Sequence, residues 1–345
     1  MKIGIFSSGE GTGGTEKIAI YLAEFLKKKH DVDILLWKKW ENSCFHTSVP
    51  QRCLFSKRIP PYDNILLTPL IYSMKNDYDA YFNMTFFSSL FVSKLIAFRK
   101  PIVHYFHNPP LDLNGFLGHI AFSPFLFIEK FHKIMKNIPT VCNSNYTKEE
   151  ILKFYGIEPR VIHSPVDLDK FSPAKKSSSD FILLTGRITA FKKYEKALQF
   201  LKEEKIRVII AGRAGEINYY NFLKKQFPFV EFRINVSEEE LVKLYQNCKL
   251  YIFTNPEEHY GLVVPEAMAC GKTVLVPKGC GASELITDGE NGYLFEPDYS
   301  NFKEKLYEAL HNDIGKKARK YVEENLSPDA YGEKMLNMLY DNYDI

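Results

Sequence analysis

Two apolar runs of five residues, Lys2 to Phe6 (KIGIF) and Phe181 to Thr185 (FILLT), each lead into a glycine-bearing loop and then a helical pattern. SSGEGTGGTE and IAIYLAEFL follow the first run; GRITAFKK and YEKALQFL follow the second. Short strands of this kind, alternating with helices, build a parallel sheet covered on both faces. Asp79 to Asn83, Ile102 to Phe106, Thr140 to Asn143, Arg207 to Gly212, Val230 to Ile234 and Lys249 to Phe253 read as further strands. The chain is therefore α/β, and the restart near residue 181 divides it. Its 345 residues suffice for two domains of ordinary size. The polar stretch AKKSSSD, Ala174 to Asp180, has linker composition. The expected division is residues 1–173, then 174–326, then a terminal helical pattern over 327–345.

Ligands of such sheets lie beyond the carboxyl ends of the strands, so the loops there carry the chemistry. Gly9, Gly11 and Gly14 satisfy G-x-G-x-x-G, the dinucleotide pattern. That pattern also requires an acid at the far end of the second strand, to hold the ribose. The second strand, VDILLW, ends in Trp37-Lys38-Lys39, while Asp31 and Asp33 stand at its start. An NAD(P)-dependent oxidoreductase remains an alternative resting on this loop alone.

The densest chemistry lies between Thr254 and Phe295. The strand KLYIF opens into a loop with Glu257, Glu258 and His259, then Tyr260-Gly261, then a short helix expected near Pro265. Gly271 stands where a left-handed helix cap belongs. Glu258 and Glu266 are eight positions apart, with Gly261 and Pro265 between them breaking any continuous helix. Carboxylates for hydroxyls beside free N–H groups at a helix N-terminus suit a phosphorylated, sugar-bearing ligand.

This segment resembles the glutamate-x7-glutamate signature of the retaining glycosyltransferases of family 4. Glu258, Gly261, Glu266, Ala267, Met268, Ala269 and Gly271 match, followed by Gly281, Glu284, Gly289, Asn291 and Gly292. Thr254-Asn255 replace the usual Pro-Ser, His259 the usual Gly, and Tyr260 the usual Phe. The resemblance extends to Gly13-Gly14-Thr15-Glu16 for G-G-x-E, to His107 in HNPP, to NSNYT, and to Gly186-Arg187 with Lys192 for G-R-x-x-x-x-K. It implies the GT-B fold, two Rossmann-like domains with parallel sheets facing across a cleft, the first binding acceptor and the second a nucleotide-sugar donor.

It also implies roles. Glu258 holds sugar hydroxyls, Glu266 the ribose, and Arg187 and Lys192 the diphosphate, with Lys193 the neighbouring rival. The N–H groups near Leu262 and Val263 hold a phosphate, and the backbone around Arg233 and Ile234 borders the base. Tyr260 and Gly261 lie against the donor, Gly13 and Gly14 near the donor phosphates or the acceptor, and His107 beside the transferred sugar. His104, inside its strand, reads as a core histidine. Thr147, with Glu150 three residues on, reads as a helix N-cap, as does Ser237 with Glu240. Fixed cations stabilise the charge that develops on a departing diphosphate. The expected reaction is transfer of a hexose, mannose or glucose favoured, with retention, to a hydroxyl of a glycan or lipid-linked acceptor. A non-catalytic sugar-nucleotide or glycan-binding protein is the other alternative.

Composition bounds the rest. A hydrophobic fraction of 45%, a charged fraction of 25% and a net charge of +3 fit a globular protein with no nucleic-acid partner. The six cysteines form no C-x-x-C pair or zinc spacing, and MKIGIF enters a strand at once, so a cytoplasmic location is expected. No metal and no cofactor are expected either, because Arg187 and Lys192 supply the positive charge. The D-x-D triplets at Asp31/Asp33, Asp77/Asp79 and Asp167/Asp169 flank strands or lie between domains. The aromatic segment Leu113 to Phe131, followed by Lys133 and Lys136, reads as a helical hairpin or as a peripheral membrane contact.

Overall fold

A computed structural model describes residues 1–7, 14–36, 47–53, 68–75, 77–85, 90–107, 137–175 and 180–345. Gly9, Gly11, Gly13, the Asn108-Pro109-Pro110 run and the 113–136 segment lie outside the described residues. Two compact units are present, one of Met1–Pro165 with Pro328–Ile345, the other Val166–Ser327.

The first unit holds β1 (Lys2–Phe6), β2 (Asp31–Leu36), β3 (Gln51–Cys53), β4 (Ala80–Asn83), β5 (Ile102–Phe106), β6 (Thr140–Cys142) and β7 (Arg160–Val161). They pair in parallel in the order β3-β2-β1-β4-β5-β6-β7. β1, β4 and β5 are almost wholly buried, as their unbroken apolar text requires. The helix Gly14–Lys27 buries Ile18, Ala19, Leu22, Ala23 and Leu26 along one stripe. The terminal helix Pro328–Tyr340 packs against it, and Gly332 sets the approach: a Cβ there would fall 2.1 Å from Phe25 Cγ.

The second unit holds β8 (Phe181–Thr185), β9 (Arg207–Gly212), β10 (Val230–Ile234), β11 (Leu250–Ile252), β12 (Val274–Pro277) and β13 (Tyr293–Phe295), all parallel. Their order is β10-β9-β8-β11-β12-β13, so the direction of winding reverses between β8 and β11. Alternate residues serve two cores. Leu183, Ile209 and Val274 pack on one face, and Ile182, Ile210 and Leu275 on the other.

The units divide at Pro165/Val166, ahead of the expected boundary at 173/174. The reason is packing. Val166 and Phe171 are buried in the second unit's core, and the Val166 N–H donates to Leu326 O at 2.9 Å. Arg319 donates to the carbonyls of Phe171 and Ala269 at 2.6 and 2.8 Å, fastening 168–171 to the same unit. A polar stretch marks exposure, and exposure alone does not mark where the packing changes.

Two local expectations change. Ser144, not Thr147, caps the helix Asn145–Tyr155: Thr147 N–H donates to Ser144 Oγ at 3.0 Å, while Thr147 Oγ1 donates to Asn143 Oδ1 at 2.7 Å. The short helix of the signature begins at Val263, with Pro265 third. Every N–H of a first turn lacks an intrahelical acceptor, so proline is tolerated there as well as at the first position. Gly271 takes the expected left-handed conformation, φ 71°.

Candidate active site

The reversal between β8 and β11 is where an open parallel sheet holds its ligand. Two loops emerge there, and both come from the matched motifs. After β8, Gly186 has φ 134°, and a Cβ on Gly212 at the end of β9 would fall 1.9 Å from Gly186 O. Two strand ends therefore touch backbone to backbone, and Ile188 N–H donates to Arg213 O at 2.8 Å. Gly215 leaves room for the stem of Arg187, since a Cβ there would meet Arg187 Cγ at 2.5 Å. Arg187 itself is exposed and makes no ion pair with a described residue.

The chain then makes a single turn, Ala190–Lys192, and passes through Lys193 in the left-handed region, φ 53°. That turn sends the two lysines different ways. Lys192 Nζ pairs with Glu258 Oε2, at side-chain exposures of 17% and 21%, whereas Lys193 Nζ pairs with Glu257 Oε1 at 2.9 Å. Lys192, not its neighbour, is the cation beside the signature glutamate. Its Nζ lies over Phe253, 5.6 Å from the ring centroid, and its carbonyl accepts from Thr254 Oγ1 at 2.5 Å.

The loop after β11 is held from several sides. Asn255 Oδ1 accepts from Glu257 N–H at 3.0 Å, Tyr299 Oη donates to Thr254 O at 3.1 Å, and Gly281 N–H donates to Glu258 O at 2.9 Å. The last bond ties the second glycine motif to the first glutamate. Gly261 has φ 72°, and a Cβ there would press on Phe253 Cζ at 3.1 Å and Glu258 Cγ at 3.4 Å. Tyr260 is 3% exposed, its ring in the core, so only its backbone is offered to a ligand. Leu262 and Val263 then open the helix Val263–Ala269 with N–H groups that lack intrahelical acceptors.

Glu266 is buried on that helix and accepts from Tyr245 Oη at 3.3 Å. Tyr245 Oη and Tyr251 Oη each lie 3.0 Å from Thr185 Oγ1, at the last residue of β8. Burial pushes both phenols well above their ordinary pKa, which keeps them neutral. A neutral relay thus orients the second glutamate from beneath the site. No motif announced Thr185, Tyr245 or Tyr251; their one signal is polar atoms inside otherwise apolar strand and helix faces.

Arg233 and Ile234 end β10, two strands from β8. The Arg233 guanidinium pairs with Glu231, and Ile234 packs against the core. The structure does not bring these side chains to the Lys192–Glu258 pair. Burial raises the thiols of Cys248 and Cys270 to about 12 and that of Cys280 to about 11, so none is a thiolate nucleophile at neutral pH.

In the first unit His107 directly follows β5 and is 4% exposed. Its Nε2–H donates to Met84 O at 3.2 Å, and burial lowers its pKa to about 3. A neutral ring with Nε2 protonated presents Nδ1 as an acceptor. Asn143 Nδ2 donates to the His107 carbonyl at 3.0 Å and fixes the turn. His104 is fully buried against Ser93 Oγ at 2.8 Å, the core histidine expected. Gly14 is the first residue of the helix Gly14–Lys27. Asp33 is a buried partner of Tyr78 Oη at 2.8 Å and of Arg52, so its D-x-D triplet serves the sheet.

Known proteins share this sequence pattern and this fold. The family described as Glycosyltransferase Family 4 matches residues 12–170, and that described as Glycosyl transferases group 1 matches residues 166–327. The human alpha-1,3/1,6-mannosyltransferase is 26% identical over 286 residues, covering 71% of this chain and 68% of its own. A GDP-mannose-dependent alpha-mannosyltransferase of Corynebacterium glutamicum is 26% identical over 213 residues, covering 56% of this chain and 49% of its own. Among solved structures, Anabaena HepE in complex with UDP is 17% identical, with a TM-score of 0.76 over 99% of this chain and 100% of that one. Sucrose-phosphate synthase from Thermosynechococcus elongatus is 18% identical, also at 0.76, over 99% and 98%. Both share the GT-B fold, and the family models span the glycine loop's helix as well as the second sheet, which sets the oxidoreductase reading aside. The chain is a glycosyltransferase of family 4.

Proposed function

We propose that the chain transfers a hexose, mannose or glucose, from a nucleoside-diphosphate sugar to a hydroxyl of a glycan or lipid-linked acceptor, with retention. The observation that carries this reading is the meeting of Lys192 and Glu258 where the sheet reverses, with Arg187 exposed and without an ion pair to a described residue on the same loop after β8. One site there combines fixed cations for a diphosphate with carboxylates for hydroxyls. Mannose is favoured by the two mannosyltransferase relatives; the UDP and UDP-glucose complexes of HepE support glucose.

In this reading Arg187 and Lys192 neutralise the diphosphate as the sugar–phosphate bond breaks. Glu258 holds sugar hydroxyls and Glu266, oriented by Tyr245, holds the ribose. The Leu262 and Val263 N–H groups take a phosphate oxygen, and the backbone at Arg233 and Ile234 borders the base. His107 Nδ1 accepts from a hydroxyl, and the Gly13-Gly14 loop serves the phosphates or the acceptor. The leaving phosphate takes the acceptor proton on the same face, so no separate base is assigned. No divalent ion is required, because the two cations supply its charge.

The test is transfer from labelled GDP-mannose and UDP-glucose to lipid-linked glycan acceptors, with the product's anomeric configuration read by NMR. An α-linked product whose formation survives EDTA supports the reading. Inversion, or full loss in EDTA restored by magnesium or manganese, contradicts the retaining or metal-free parts in turn. Donor binding without any transfer favours the non-catalytic alternative.

A further inference from the structure

Among the described residues of the second unit, two buried side-chain polar atoms lack a hydrogen-bond partner, Tyr194 Oη and Asn255 Nδ2. Unpaired buried polar groups are costly and uncommon in folded proteins. Both follow the ends of the adjacent strands β8 and β11. The Asn255 amide is assigned by its own bond, since its Oδ1 accepts from Glu257 N–H, which leaves Nδ2 as the orphan. Two hydrogen-bond donors are therefore unused beside the candidate site.

Tyr194 is the more informative. It opens the helix Tyr194–Leu201 with its ring in the core at 2% exposure. A Cβ on Gly186 would lie 3.2 Å from Tyr194 Oη and 3.5 Å from Lys192 Cε, so the missing side chain leaves a space that both groups border. Glu258 is near enough to push the phenol's pKa up beyond what burial does, yet it pairs with Lys192 and makes no hydrogen bond to Tyr194. A phenol kept protonated beside an ammonium needs an acceptor, and an anionic oxygen serves both. Phenylalanine would fill the same core volume without an orphaned oxygen.

We propose that Tyr194 Oη–H donates to a diphosphate oxygen of the nucleotide-sugar donor, beside Lys192, in the space that Gly186 leaves open. The proposal rests on the reading of Lys192 as a diphosphate ligand. It makes Tyr194 a donor-positioning residue that no signature contains.

The experiment titrates UDP, GDP, UMP, GMP, UDP-glucose and GDP-mannose into the parent chain, Tyr194→Phe and Lys192→Met, with thermal unfolding of each in the absence of nucleotide. Tyr194→Phe should unfold at the parent's midpoint or higher, yet bind the preferred diphosphate about tenfold or more weakly, with the monophosphate unchanged. Lys192→Met should lose diphosphate affinity in the same series. Parental diphosphate binding by Tyr194→Phe, with Lys192→Met weakened, overturns the role of Tyr194 and leaves the site reading standing. Parental binding by both variants overturns the site reading and the proposal with it. Unchanged diphosphate binding with weakened binding of UDP-glucose or GDP-mannose shows a sugar contact, which also overturns the phosphate assignment.

Discussion

Exchanging Lys192 for methionine and Glu258 for glutamine, one at a time, should move nucleotide affinity in opposite directions while lowering turnover in both. The two groups hold each other at exposures of 17% and 21%, so a diphosphate that claims Lys192 must compete with Glu258. Methionine keeps an unbranched apolar side chain and removes the ammonium that lies over Phe253. A hydrogen bond to a charged group contributes about 1.5–3 kcal/mol, so diphosphate binding should weaken roughly 10- to 150-fold. Glutamine at 258 releases Lys192 from a partly exposed pair worth about 1 kcal/mol, and binding should tighten by up to about fivefold. Turnover should fall at least about 100-fold in each variant, because each removes charge stabilisation or hydroxyl contacts needed in the transition state. Calorimetric titration with UDP and GDP, alongside release of nucleoside diphosphate from the sugar donor, measures both quantities. Equal weakening by the two variants would refute the competition, since it would mean that the carboxylate places the ammonium for the ligand.

Three further outcomes follow from particular contacts. Gly212→Ala should destabilise the second unit by about 2–4 kcal/mol in urea, because its Cβ would strike Gly186 O and its φ of 158° disfavours a side chain; parental stability would contradict that packing. His104 and His107 have pKa values lowered from 6.5 to about 3 by burial, so the unfolded chain binds protons that the folded chain does not. Stability should be flat in these groups above about pH 6.5 and fall by about 1.4 kcal/mol per pH unit for each as pH drops towards 3, and a flat urea midpoint from pH 6.5 to 4.5 would refute it. If the 113–136 segment with its lysines serves a lipid-linked acceptor, the chain should cosediment with anionic vesicles and not with neutral ones, and absence from both counts against a membrane contact. Among the described residues no helix is long and apolar enough to cross a membrane.

What the sequence disclosed about this molecule depended on how local the cause was. β8 was legible because every residue of FILLT is buried, and Gly271 because one left-handed residue ends a helix whatever surrounds it. Glu258 and Glu266 were legible through their motif. The motif also chose Lys192 over Lys193, but its physical cause was not legible, because it turns on the left-handed backbone at Lys193 that sends neighbouring side chains apart. The relay from Thr185 through Tyr245 to Glu266 was hidden for another reason: its members lie 60 and 21 residues apart and meet only when the sheet forms. The strands Gln51–Cys53 and Arg160–Val161 are too short and too polar to show periodicity. Tyr194 looked like any core aromatic until its hydroxyl proved to have no partner.

The measurement that bears most directly on the donor site is thermal unfolding of the parent and of Glu266→Ala against UDP, GDP, ADP, their sugars, NADH and NADPH. A ligand at about a hundred times its dissociation constant adds roughly 2.7 kcal/mol, enough to raise the midpoint by a few degrees. One nucleoside diphosphate and its sugar should stabilise the parent, and that shift should be lost in Glu266→Ala. Stabilisation by NADH or NADPH alone, undiminished in Glu266→Ala, would contradict a nucleotide-sugar site at the end of β8 and β11.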